Sequence, residues 1–309
     1  MTNLIKVYWR IFKTNPRLFV FLAARKIGIL KRICDKKYLE YEFRAIKGYP
    51  LNLEEPRTFN EKLQWLKLND RNPLYTKLVD KYAVREYIKK ELGEEYLIPL
   101  IGGPWSDSEE IDFDKLPDQF VLKCTHDSGS VVICNNKTDF DIVAAKKKLN
   151  RALKNNYYDR HREWPYKDIR PQIIAEKFIG DGAKTPEDYK FFTFDGEIDS
   201  VMVCKGREHG YPWFYFYDLE WNRKIYQYPD LERTDEIDKP KDFDKMIEAV
   251  KKLAKKFRHV RIDLYYEKGK IYFGEFTMYN QSGYDNDITY ETDRMWGRKL
   301  KLPVAGVWK

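Results

Sequence analysis

The sequence predicts an α+β fold, and three observations carry the prediction. Short apolar runs bounded by Gly, Pro, Asn and Asp read as strands around 119–134, 173–217 and 259–279. Helical spacing governs the stretches between and before them, at 57–92, 140–153 and 242–257. Finally, Trp164-Pro165 and Arg170-Pro171 interrupt the chain just ahead of the strand that starts at Ile173, which marks a subdomain boundary. With 309 residues, 43% apolar and 34% charged, the chain can bury a core, so disorder and fibre are excluded.

The first fifty residues stand apart by charge. They hold 12 Lys and Arg against 3 Asp and Glu, leaving 45 against 46 for the remainder. Their longest apolar run, Leu18 to Ala24, is far too short to span a membrane, which takes roughly 20 residues. Tyr8, Trp9, Phe12, Phe19, Phe21 and Leu22, interleaved with Arg10, Lys13, Arg17, Arg25 and Lys26, suit an anionic lipid surface or an acidic partner; they equally suit a basic helix that covers the domain. Four scattered cysteines (Cys34, Cys124, Cys134, Cys204) and the lack of a signal-peptide pattern point to a reducing cytoplasm.

Thr58 and Glu61 form a capping-box pair that starts a helix. A second helix is expected from Tyr75 to Leu92, with Lys77 and Lys81 one turn apart and Gly93 as its stop. Tyr96 to Leu100 reads as a strand, Gly102-Gly103-Pro104 as a loop, and Gln119 to Cys124 and Ser130 to Cys134 as strands. A helix at 140–153 follows, then strands at Ile173 to Phe178, Tyr189 to Phe194 and Ile198 to Cys204, the last two joined by Asp195-Gly196. Another strand is expected at Trp213 to Tyr217, and a helix capped by Asp242 leads into the last hairpin.

That hairpin carries the most chemical information. Val260, Ile262 and Leu264 alternate with Arg261, Asp263 and Tyr265, while Glu275 and Thr277 share a face of the returning strand. Two carboxylates and a hydroxyl are oxygen ligands of the kind magnesium takes alongside phosphates, although exposed strand charges are common. Register decides between these readings. A two-residue turn at Lys268-Gly269 with a regular ladder would set Glu275 opposite Ile262, on the aliphatic face; a three-residue turn, Glu267 to Gly269, would put Asp263 and Glu275 on one face. The sequence therefore predicts the odd-numbered turn. Upstream, Lys123 interrupts an apolar strand and precedes Thr125-His126-Asp127-Ser128-Gly129-Ser130, a small-residue turn able to cradle phosphates. Walker A, G-x-G-x-x-G, G-x-S-x-G, H-E-x-x-H and paired C-x-x-C patterns are absent.

In this order, Thr58-Phe59-Asn60-Glu61-Lys62-Leu63-Gln64-Trp65, Asp80-Lys81-Tyr82, Phe120 to Ser130, Ala175-Glu176-Lys177-Phe178-Ile179, Arg261-x-Asp263 and Glu275-x-Thr277 resemble the ATP-grasp superfamily, and within it the TupA-like branch of polysaccharide biosynthesis. The resemblance spans roughly 38–303. It implies two α+β subdomains clasping ATP behind a basic helical N-terminal segment (1–56). A helical region (57–110), a small subdomain (111–172) and a large one (173–309) would follow. It also implies Lys81, Lys123 and the Ser128, Gly129, Ser130 turn at the phosphates, Glu176 with Lys177, Phe178 and Ile179 at adenine, and Asp188 at ribose. Asp263, Glu275 and Thr277 would hold Mg2+, and Arg261, with Lys123, would face the transferred phosphoryl group. Two departures are Thr277, where the superfamily carries Asn, and a covering turn with a single glycine.

The resemblance implies an ATP-dependent ligase that joins a carboxylate to an amine through an acyl phosphate. Its substrates would be a glycan or sugar-nucleotide acceptor and an amino acid or other amine. A glycosyltransferase of the same pathway is the alternative, with Asp112-Phe113-Asp114, Asp139-Phe140-Asp141 or Asp242-Phe243-Asp244 as its D-x-D motif; these read better as helix or turn caps. A basic membrane scaffold would leave Lys123, Arg261 and Asp263 unexplained. Nucleic acid is not an expected partner, because the basic excess is confined to one end.

Overall fold

The computed structural model describes residues 9–182, 185–206 and 212–303. Its contacts divide the chain into two compact units, Met1–Arg71 with Asp159–Trp164 and Asn280–Lys309, and Asn72–Tyr158 with Pro165–Tyr279.

In the first unit, residues 9–14, Pro16–Lys26, Asp35–Lys47, Phe59–Asn69 and Tyr290–Lys299 are helical. Phe21, Tyr38, Leu39 and Ala45 are buried together, with Leu18, Leu22 and Leu68 against them. The Thr58 and Glu61 capping box forms as expected, each side chain taking the other's backbone N–H, an arrangement worth about 1 kcal/mol.

The second unit holds two antiparallel sheets. Strands β1 (Leu100–Trp105), β2 (Phe120–Cys124), β3 (Val131–Cys134) and β4 (Ile173–Lys177) make the first, in the order β1-β4-β2-β3. Its apolar face buries Phe120, Leu122, Cys124, Ile173 and Ala175 beneath the helix Ile142–Leu153. Six strands make the second: β5 (Glu187–Phe194), β6 (Glu197–Lys205), β7 (Trp213–Tyr217), β8 (Arg223–Lys224), β9 (His259–Glu267) and β10 (Lys270–Thr277), in the order β10-β9-β5-β6-β7-β8. The helix Phe243–Ala254 lays its apolar stripe, with Met246, Val250 and Leu253 fully buried, on that sheet.

Several sequence expectations need correcting. The single helix over 75–92 is two, Leu74–Val79 and Val84–Glu91, because the Asp80 carboxylate accepts from the Tyr82 and Ala83 amides at 2.8 and 3.1 Å and turns the chain there. Lys81 therefore sits in a turn, not one helical turn from Lys77. The strand expected at Tyr96 to Leu100 lies later and takes in Gly102-Gly103-Pro104, expected as a loop; β1 is an edge strand with irregular register, where a proline costs no ladder bond. Asp242 occupies the N-cap position of its helix without capping it, since its carboxylate takes the Tyr266 hydroxyl and Lys245 instead. The boundary expected at 172 falls just ahead of β4, which lies between β1 and β2 in the first sheet.

Candidate active site

The β9–β10 hairpin is closed by a two-residue turn. Lys268 and Gly269 both have positive φ (51° and 75°), and Glu267 pairs with Lys270, so the expected three-residue turn is not the one formed. A regular ladder from this turn would have set Glu275 opposite Ile262. Instead the register shifts between Phe273 and Glu275, with Gly274 as the extra residue, and Glu275 stands opposite Asp263, Phe276 opposite Ile262 and Thr277 opposite Arg261. Both carboxylates thus share a face, by a bulge and not by the turn. Glycine fits here because a Cβ on Gly274 would lie 3.0 Å from the Asp263 carbonyl oxygen and 3.1 Å from the Tyr265 ring.

Around this pair the charges are closely compensated. Arg261 donates to both Asp263 oxygens at 2.7 and 2.8 Å and to Glu275 Oε1 at 3.2 Å, and Thr277 donates to that same Glu275 oxygen at 3.3 Å. From the neighbouring strand β5, the buried Lys190 ammonium bridges Asp263 and Asp188, the latter at 2.7 Å. Burial by itself would raise the Asp263 carboxyl, but Arg261 and Lys190 outweigh it and hold that group down at about 2. Lys190 shows the converse: burial opposes its charge, and Asp188 and Asp263 raise it above the usual lysine value. Lys190, absent from the expected site residues, lies inside the apolar strand Tyr189 to Phe194 and so carries the same sequence signal as Lys123.

On β2 the alternation sends Phe120, Leu122 and Cys124 into the core and turns Val121 and Lys123 the other way. Lys123 has found its anion in Glu176 of β4, at 2.6 Å, and Arg85 reaches the same carboxylate at 3.3 Å. The turn after β2 is anchored by Lys81, whose amide donates to the Thr125 carbonyl at 3.0 Å and whose ammonium donates to that of Asp127. Burial lowers the Lys81 ammonium below its ordinary value. Ser130 donates its hydroxyl to Asp127, which ties off the base of the turn.

Both sheets contribute to one cavity of about 740 Å3. Lys81, Lys123, Ser128, Gly129, Glu176, Lys177, Phe178, Ile179, Asp188, Asp263 and Glu275 line it, and so do Lys190 and Arg85. Ser130, Arg261 and Thr277 are not in its wall; Arg261 and Thr277 are bonded to Asp263 and Glu275, which are. Val121, Val131, Ile133, Tyr265 and Phe273 supply apolar wall, so the cavity combines apolar side chains with convergent polar groups, as ligand sites do. For magnesium the donor chemistry fits. Two oxygen-donor carboxylates face the cavity, and the bonds from Arg261 and Thr277 both fall on Glu275 Oε1, not on Oε2. Among the described residues no group of three or more His, Cys, Asp or Glu side chains is placed to hold a metal ion by itself.

Four of the aspartates in the D-x-D candidates are engaged locally, Asp242 by Tyr266 and Lys245. Asp112 and Asp141 accept from Asp114 and Ala144 amides at 3.2 and 2.8 Å as caps, and Asp139 takes the Asn136 amide.

The second unit is thus an antiparallel α+β body whose two sheets wall one cavity, each sheet presenting both a lysine and a carboxylate to it. Residues 61–301 match the family model described as TupA-like ATPgrasp, and the chain belongs to that family. No curated protein matches it. Similar solved structures include the D-alanine–D-alanine ligase of Bacillus anthracis complexed with ATP (17% identity, TM-score 0.38, covering 65% of this chain and 55% of that one). Others are the L-amino acid ligase of Bacillus licheniformis (12%, 0.45, 81% and 56%) and the D-alanine–D-alanine ligase of Helicobacter pylori (12%, 0.41, 80% and 70%). The chain spans little more than half the length of the first ligases it matches.

Proposed function

We propose that the protein is an ATP-dependent carboxylate–amine ligase that modifies a cell-surface polysaccharide or its precursor. One observation carries this reading: Lys81 and Lys123 line the same cavity as the paired carboxylates Asp263 and Glu275, so cations for phosphate and ligands for its metal are presented to one ligand. The four-stranded sheet would be the small subdomain and the six-stranded sheet the large one. Lys81, Lys123 and the Ser128-Gly129-Ser130 turn would hold the phosphates. The Glu176 to Ile179 segment would hold adenine, with the Glu176 carboxylate fixing Lys123, and Asp188 would meet the ribose. Asp263 and Glu275, backed by Thr277, would hold Mg2+, which when bound offsets phosphate charge. Arg261, bonded to both carboxylates, would add its charge at the transferred phosphoryl group.

In the reaction a substrate carboxylate oxygen attacks the γ-phosphorus of ATP and the bond to the β-phosphate oxygen breaks, giving an acyl phosphate and ADP. The amine then attacks the acyl carbon, loses a proton, and phosphate leaves with the C–O bond electrons. The basic excess of residues 1–50 would set the enzyme at the anionic inner face of the cell membrane; no helix among the described residues is long and apolar enough to cross a membrane. The test is a panel of uronic acids, sugar nucleotides and amino acids incubated with Mg-ATP. ADP and phosphate release that requires both a carboxylate and an amine is the expected result. A nucleoside diphosphate released from a sugar nucleotide without ATP would favour a glycosyltransferase and end this reading.

A further inference from the structure

The N-terminal helices precede the family-matched residues 61–301 and line no part of the cavity described above. They pack on each other through Phe21, Tyr38, Leu39 and Ala45, yet an open groove of about 530 Å3 remains at their junction, lined by Val20, Ala24, Leu30 and Tyr41 together with Arg17 and Arg44. Large apolar side chains nearby face outward: Trp9 is 59% exposed, Val20 64%, Ile27 71% and Ile29 61%. Four exposed large apolar side chains within one short basic segment suit contact with a lipid surface. Its setting is strongly basic, with 12 cationic residues against 3 acidic ones over residues 1–50.

We propose that this groove seats an acyl chain of an anionic phospholipid bilayer while Arg17 and Arg44 meet the lipid phosphate. The inference rests on the membrane-surface reading of residues 1–50 and adds its site and chemistry. Charge complementarity selects the occupant. An apolar floor with two guanidinium groups fits a ligand that is alkyl at one end and anionic at the other, and the surrounding excess of positive charge draws the segment to an anionic leaflet. Helices too short and too charged to span lie in the interface, with their apolar side chains at the acyl boundary.

The full-length protein is sedimented with vesicles of phosphatidylcholine alone and with 30% phosphatidylglycerol. Binding to the anionic vesicles only, weakened by salt, is expected. Arg17→Ser with Arg44→Ser should lower the partition about tenfold to thirtyfold, from about 1 kcal/mol per cation. Ala24→Gln, which leaves every charge in place, should lower it severalfold. Circular dichroism and ATP affinity monitor folding in both variants. If removal of residues 1–30 abolishes vesicle binding while neither groove variant changes it, the groove assignment is overturned and the membrane reading stands. If the unaltered protein binds no anionic vesicle, both fall. A concentration-dependent dimer lost on Ala24→Gln would assign the groove to a second copy of the chain instead.

Discussion

Glu275 stands directly opposite Asp263 although the hairpin between them closes through two residues. Gly274 reconciles the two facts, because one extra residue on β10 restores the parity that the turn alone would have lost.

Gly274→Val should therefore damage the site. Its Cβ would press on the Asp263 carbonyl oxygen, 3.0 Å away, and the strands would have to part where the carboxylates meet. A loss of about 1–3 kcal/mol is expected from overpacking, with a larger fall in Mg-dependent ADP release. Deleting Gly274 should be milder, because Phe273 would still face Leu264 and Glu275 would still face Asp263. Paired thermal melts and turnover assays check this, and an unimpaired valine variant would refute it.

Lys123→Ala should weaken ATP binding about tenfold to a hundredfold, the range of a charge-assisted hydrogen bond. The change also leaves the Glu176 carboxylate with Arg85 as its remaining cationic partner in the cavity wall. Isothermal titration calorimetry with Mg-ATP is the measurement; an unchanged affinity contradicts the assignment.

Asp263→Asn should reduce acyl-phosphate formation at least a hundredfold while the circular dichroism spectrum stays that of the parent. Asparagine keeps the shape but leaves Arg261 and Lys190 without the anion that both engage, so a lowered melting temperature should accompany the loss. Hydroxylamine trapping of the activated carboxylate reads the chemical step. Undiminished trapping would remove Asp263 from the metal site.

His259 gives the fold a defined acid sensitivity. Burial lowers its imidazole from 6.5 to about 4, and Nδ1 donates to the Thr193 carbonyl at 2.8 Å. Between those values the unfolded chain binds the proton and the folded one does not, so stability rises with pH across the window and is lost as pH falls from 6.5 to 4. The loss reaches up to about 3 kcal/mol. His259→Asn, which can keep a donor to Thr193, should flatten this part of the stability profile in urea titrations at pH 4.5 and 7. An equal slope in parent and variant would place the acid sensitivity elsewhere.

Much of this was legible in the chain because it depends on local rules. The capping box at Thr58 and Glu61 needs only residues three apart, the strand Trp213 to Tyr217 and the turn Asp195-Gly196 need only alternation and φ preference, and a lysine inside an apolar strand announces that an anion must be near. The basic excess of residues 1–50 is likewise a property of sequence alone. Tertiary structure decided what depends on the partner. That the anion for Lys123 is Glu176, that Lys190 bridges Asp188 and Asp263, and that Asp80 breaks a helix the spacing would have continued are all outcomes of packing between segments distant in the chain or of a side chain outcompeting the backbone. The register of the last hairpin divides the same way. Sequence determined that Asp263 and Glu275 could share a face only if parity were right, and the close approach of β10 to the Asp263 backbone, which glycine alone fits without strain, decided that a bulge would supply it.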